Sequence, residues 1–370
     1  MYRIGIYDKD LQWVRPLGAY KKIAPTKRHN RVSGLELTMR SGAPENGDLA
    51  EYGARLVVAF RDKFLMSGPI TNVNGEGPGV QGEMVFTLEN DFRILQNYLG
   101  YQNPDGTLAQ QNLAETYTIT GPAETVVKTL VTKNIVPRAP YPVVVAPDLG
   151  RGDTITVSVR MDFLADKLFP AVTDAGIGVS VRQLNGQLVV DCYEPTAYPN
   201  KLTEGSRVIQ KWTFNRAHPT ATDAVIGSDG EGVARDFYGY QDAARRALYR
   251  DRIEAFGDAK FTAGIDAFLE AGNKLLADGA PKAGVELQLA EAGNFRIGVD
   301  GGPEVGDLIT AVFGGNITIT DFLTEVAMEH TPGEGLKITS TIGRKDDPAE
   351  QVVRAITALA AGLHKLKAST

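Results

Sequence analysis

Punctuation is the strongest constraint on how this chain folds. Through the first 120 residues, short runs of branched and aromatic residues alternate with Gly, Pro and Asn clusters, the grammar of strands joined by turns. Met1–Tyr7, Leu35–Met39, Arg55–Phe60, Lys63–Val73, Gly82–Glu89 and Glu115–Thr120 read as strands, and Val73–Gly79 as the loop of a hairpin. Asp91–Leu99 has helical spacing at Phe92, Leu95 and Leu99, with Asn90 and Asp91 available as caps.

Beyond Gly121-Pro122 the periods mix. Val126, Val127, Leu130 and Val131 give Ala123–Ile135 an amphipathic helical face, and the Pro-rich run Pro137–Pro142 stops it. Thr154–Val159 reads as a strand and Phe163–Ala175 as a helix. Ile177–Leu184 and Gln187–Tyr193 read as a hairpin, because Asn185-Gly186 favours a two-residue turn with positive φ. Ser206–Asn215 is a further β segment, and Thr220–Gly232 reads as a polar, mobile or partner-contacting loop. Phe237–Phe256 and Phe261–Ala277 carry helical spacing. Strands return at Gly284–Leu289, Leu308–Val312, Asn316–Thr320, Asp321–His330 and Leu336–Ile342, with Gly306-Asp307 as a tight corner. Asp346–Lys367 reads as a last helix with a stripe of Val352, Ile356, Leu359 and Leu363. The fold class is therefore mainly β with α/β elements.

Composition narrows function by exclusion. A single cysteine, Cys192, permits no internal disulfide and no cysteine metal cluster; its place in a strand predicts a small buried residue. His29, His218, His330 and His364 lack metal-ligand spacing, and Asp346-Asp347 and Glu89 with Asp91 read as caps and turns. There is no G-x-S-x-G elbow and no phosphate-binding loop, so catalytic, cofactor-binding and metal residues are all expected to be none. No run approaches eighteen apolar residues, and no signal peptide is read, which predicts no membrane span and folding in a reducing compartment.

The net charge of −6 argues against specific nucleic-acid binding, but the first forty residues hold nine Lys or Arg against three acids. That excess predicts a basic surface, read as a solvated face or a subunit contact. Arg151-Gly152-Asp153 reads as the turn before a strand rather than an adhesion signal.

Taken in order, Arg55-Leu56-Val57-Val58 with Met66–Ile70, the linker Val136-Pro137-Arg138 leading to Val143, Tyr240 with Arg252–Phe256, Val305–Ile309, Ile319–Val326 and Ile342-Gly343 resemble the tail-hub or baseplate-hub proteins of long-tailed siphophages and actinobacterial prophages. The resemblance covers about 340 residues. It implies two hub β-barrel domains at 1–120 and 281–345, a mixed α+β domain at 121–235, a helical connector at 236–280 and a C-terminal helix at 346–370. It further implies a virion structural protein at the distal end of the tail, assembled in the host bacterial cytoplasm. As a homotrimer it would adapt a sixfold tail tube or distal tail protein to threefold tip components. Distal tail, tape-measure and tip or fibre proteins would be its partners, without cofactors. Many relatives carry long C-terminal extensions, whereas this sequence ends at Thr370, so host recognition is expected to belong to another protein. The terminal stripe would pack around the axis, bind a tip protein or lie on its own domain.

Two alternatives make different demands. A cell-surface or carbohydrate-binding module of the tail tip would need Trp212, Phe237, Tyr238, Tyr240 and Tyr249 to line one groove, and a wall-degrading enzyme would need a convergent polar pocket.

Overall fold

The computed structural model describes residues 2–77, 82–228, 230, 232–258, 265–281 and 283–344. The expected C-terminal helix and its stripe lie outside the described residues. Two compact units are formed, one by 1–210 with 288–342 and the other from 211–287.

The first unit is dominated by antiparallel pairing. β1 (Tyr2–Tyr7) lies between β2 (Trp13–Pro16) and β5 (Arg55–Phe60), and β5 pairs with β6 (Lys63–Glu76). β6 continues to β7 (Glu83–Glu89), which pairs with β4 (Gly34–Arg40), and β4 with β3 (Lys22–Arg28). β3 then pairs with the long strand Ile317–Thr331 near the other end of the chain. That strand also pairs with Leu308–Phe313 and Gly335–Arg344. Strand alternation places Ile23, Leu35, Leu37, Met39, Leu56, Val58, Phe86 and Leu88 in a common interior.

Two strands share one device. The first half of β6 pairs with β5 and its second half with β7, and the ladder to β7 shifts register between Ile70 and Asn72. Ile317–Thr331 gives Ile317–Phe322 to Leu308–Phe313 and Leu323–Thr331 to Gly335–Ile342, with a register shift between Leu323 and Glu325. A mid-strand irregularity of this kind bends the strand and lets it pass from one pairing partner to another.

Against this sheet lies an α/β portion. Helices Ala123–Asn134 and Leu164–Asp174 bury Val126, Val127, Leu130, Leu168 and Val172 in one core with Val179, Val181, Leu188 and Val190 of the hairpin. The hairpin pairs Gly178–Leu184 with Gln187–Tyr193 across Asn185 (φ 51°) and Gly186 (φ 73°), as its Asn-Gly step predicts.

Several readings need correction. Lys22–Arg28 forms a strand that the residue pattern does not announce, because Pro25 and its run of cations hide the alternation. The loop expected at Val73–Gly79 begins later, since β6 runs to Glu76. Asp91–Leu99 holds only a 3-10 turn, Asp91–Arg93, and a short helix, Ile94–Asn97. Asn316–Thr320 and Asp321–His330 form one bent strand rather than two.

The second unit contradicts two expectations. Thr220–Gly232 contains the strand Asp223–Gly227, the centre of a three-stranded sheet, in which Ala224 and Ile226 are buried. Phe237–Phe256 is not one helix. It comprises the strand Phe237–Gln241, the helix Ala243–Tyr249 and part of the strand Glu254–Asp258. Asp242 caps that short helix by accepting from Arg245 N at 2.8 Å, and Arg250 ends it in the left-handed region (φ 51°). Helix Ile265–Asp278 packs across the three strands.

Candidate functional site

Six of the nine early cations are paired in place. Arg3 pairs with Asp62, Lys9 with Asp10, Arg15 with Asp48, Lys21 with Glu83, Lys22 with Glu329 and Arg28 with Glu325. Three of these acids, Glu83, Glu325 and Glu329, sit on strands of the same sheet, so part of the expected basic surface becomes ion pairs within the sheet, each worth little where exposed.

Two buried ionic networks brace the hairpin. Arg55 pairs with Asp91, both nearly inaccessible; Ser67 Oγ donates to Asp91 at 2.6 Å, and Arg55 Nε donates to Gln183 Oε1 at 2.8 Å. In the second, the Glu124 carboxylate, wholly buried, accepts from Arg151 Nε and Nη2 at 2.8 Å each, from Arg151 N at 3.0 Å and from Lys128 Nζ at 2.6 Å. Lys128 also reaches Asp191 at 3.0 Å. The Arg151 guanidinium holds the Glu124 carboxyl far below the usual carboxylate range, with Lys128 acting the same way. Arg151-Gly152-Asp153 is therefore a structural turn: its arginine locks a helix start, Gly152 takes φ 83°, and Asp153 O accepts from Ala123 N at 3.0 Å.

In front of these networks is a cleft of about 520 Å³. Its walls are the end of β3 with Lys27, the start of β6 with Lys63 and Phe64, the edge strand Val179–Arg182, and the segment Glu304–Asp307. Tyr193 also lines it; His29 Nδ1 lies 3.0 Å from Tyr193 Oη, and the His29 ring stacks on Phe322 with centroids 5.0 Å apart. Gly306 takes φ 102°, and a Cβ there would lie 2.6 Å from Tyr193 Oη and 2.8 Å from His29 Nδ1, so only glycine fits. Burial lowers the Lys27 ammonium from its ordinary value, and Arg182 adds to the effect; Glu304 and Asp307 oppose it.

Other candidate residues scatter. Cys192 is buried in its strand and its thiol is pushed up to about 12 by burial, as fits a packing role. His330 bonds Tyr20 Oη at 2.8 Å and His218 packs edge-on to Tyr249, while His364 lies outside the described residues. Among the described residues, no three His, Cys, Asp or Glu side chains gather to hold a metal ion. No helix among them is long and apolar enough to cross a membrane. The aromatics of the carbohydrate reading do not form one groove. Tyr238 stacks on Phe268 of helix Ile265–Asp278 at 4.6 Å, and Tyr240 meets Gly272 of the same helix. Phe237, one position from Tyr238, projects to the opposite face and meets Phe256 at 6.5 Å. The cleft cation Lys27 was visible in sequence only as one of nine early cations, and nothing local marks it.

Residues 3–344 match the model of the Siphovirus ReqiPepy6 Gp37-like protein family. The chain belongs to that family. Its fold is that of prophage tail proteins. It is similar to the 43 kDa tail protein of prophage MuSo2 from Shewanella oneidensis, with a TM-score of 0.56 at 12% identity over 92% of this chain and 98% of that one. It is also similar to a tail protein from Neisseria meningitidis MC58, with a TM-score of 0.50 at 12% identity over 95% and 99% of the two chains. No curated protein matches it by sequence. The resemblance to phage tail proteins read from the residues is borne out at the level of family and fold.

Proposed function

We propose that this member of the siphovirus family is the hub subunit at the distal end of the phage tail, a structural part rather than an enzyme. The observation that carries this reading is the repeated strand device. β6 and Ile317–Thr331 each change pairing partner half-way, at a register shift, in the two β regions at opposite ends of the sequence. Two similar β regions in one subunit let three copies present six similar edges. That is what an adapter between a sixfold tube and a threefold tip requires. On this reading residues 1–120 and 281–345 supply the two barrels. The distal tail, tape-measure and tip or fibre proteins are the partners, and assembly takes place in host cytoplasm.

Native mass measurement and negative-stain imaging of the purified chain test the proposal. A species of about 120 kDa, three times the 39.9 kDa chain, with a ring of six similar lobes supports it. A dimer, or a trimer whose lobes show only threefold similarity, overturns it.

A further inference from the structure

We propose that the cleft beside Lys27 is a docking site for a short extended polypeptide segment of a partner protein, whose single Asp or Glu carboxylate pairs with the Lys27 ammonium. Charge accounting supports the carboxylate. Among cations lining the cleft, Arg28 is committed to Glu325, and Lys63 to Asp300 and Glu304. Among its acids, Asp191 serves Lys128 and Arg151, and Asp307 accepts from the backbone N–H groups of Glu304 at 2.7 Å and Thr196 at 3.3 Å. Lys27, Arg31 and Arg182 remain without an ion pair among the described residues. Glu304 and Asp307 act on the Lys27 ammonium only from beyond ion-pair distance and are already engaged, by Lys63 and by backbone N–H groups, so a partly buried ammonium beside a second cation gains from an added anion.

The polypeptide half of the proposal comes from the strand edge. Gly178–Leu184 is the outer strand of its three-stranded sheet. Along its outer edge Val179 N donates to Asn30 Oδ1 at 2.9 Å and Gln183 N donates to Ser67 Oγ at 2.8 Å. Val181 lies midway between them, in the same phase of the strand, and lines the cleft. Its backbone polar groups face the same side and offer pairing to one residue of an added strand. Phe64, 37% exposed at the cleft, offers apolar contact to the neighbouring side chains. Glu194 and Glu304 on the same walls repel a polyanion, so a nucleic-acid strand fits poorly where a lone carboxylate fits well.

The test uses the full chain and three probes: a capped pentapeptide Gly-Val-Glu-Val-Gly, its Gln counterpart, and sodium acetate. Calorimetric titration measures affinity, and hydrogen exchange locates binding. The Glu peptide is expected to slow exchange at Val181 within 178–184, and the Gln peptide to bind at least about tenfold more weakly. Lys27→Met should abolish that preference. Arg182→Gln, an exposed change with no effect on folding, should weaken the Glu peptide severalfold. Equal binding of the two peptides, no protection at Val181, or a preference that survives Lys27→Met overturns the proposal. Acetate saturating the site at the peptide's own concentration also overturns it, since a free anion would then suffice.

Discussion

Glu124→Gln isolates the charge of a buried carboxylate without changing its shape. The native carboxylate collects two bonds from the Arg151 guanidinium, one from its backbone N–H and one from Lys128. A glutamine keeps one acceptor oxygen but turns the other position into a donor facing cations. Lys128, 4% exposed, and Arg151 would then share Asp191 as their one carboxylate, at 3.0 and 3.5 Å, beside the carbonyls of Pro147 for Lys128 and Cys192 for Arg151. Breaking a buried pair costs about 3–5 kcal/mol, and the surviving Asp191 contact brings the expectation to about 3 kcal/mol. That is a large part of the roughly 5–15 kcal/mol that holds a domain folded. Hydrogen exchange at neutral pH should show helix Ala123–Asn134 opening roughly 100-fold more often in the variant. The pH dependence has a defined sign. The folded carboxyl lies below its ordinary value of 4.5, so its contribution is complete above that pH and fades as pH falls toward the folded value. The gap in urea midpoint between the two proteins should be constant from about pH 8 to 5 and narrow only below about 4.5. Unchanged exchange in the helix, or a gap that narrows near neutrality, would refute the reasoning.

Three further outcomes are expected. Asp91→Asn strands Arg55, which is 5% exposed, and weakens the Ser67 and Gln183 bonds; chemical denaturation should show a loss of about 3–5 kcal/mol. Gly306→Ala combines φ 102° with a Cβ crowding Tyr193 and His29, and should cost about 1–3 kcal/mol, whereas Gly121→Ala, with nothing within 4 Å, should change stability by less than about 0.5 kcal/mol. Cys192, buried and with its thiol pushed up to about 12, should resist iodoacetamide at pH 8 until the chain is unfolded; rapid labelling of the native protein would contradict its placement.

Elements set by local residue pattern are legible in the sequence. The hairpin Gly178–Tyr193 follows from period-two alternation around Asn185-Gly186, and Thr154–Val159 has the boundaries its sequence suggests. Helix Ala123–Asn134 declares its buried face through Val126, Val127, Leu130 and Val131. Misreadings arose where neighbours in space override spacing in sequence. Tyr240, Ala244 and Leu248 fall at helical intervals, but Tyr240 belongs to a strand packed on Gly272. Asp223–Gly227 looks polar at its flanks, yet two strands and a helix enclose it.

The sequence by itself determined a mainly β chain without the residue patterns of common catalysis, because side-chain period and turn chemistry are local properties. Only the tertiary structure decided how its charges are used. Arg28 meets Glu325 across 297 residues, and Arg151 turns inward to Glu124. Lys27 lies near Arg182 and makes no ion pair among the described residues, with Glu304 and Asp307 acting on it only from farther off. Coulomb energy and desolvation depend on distance and burial in space, and neither is written in the spacing of residues along the chain.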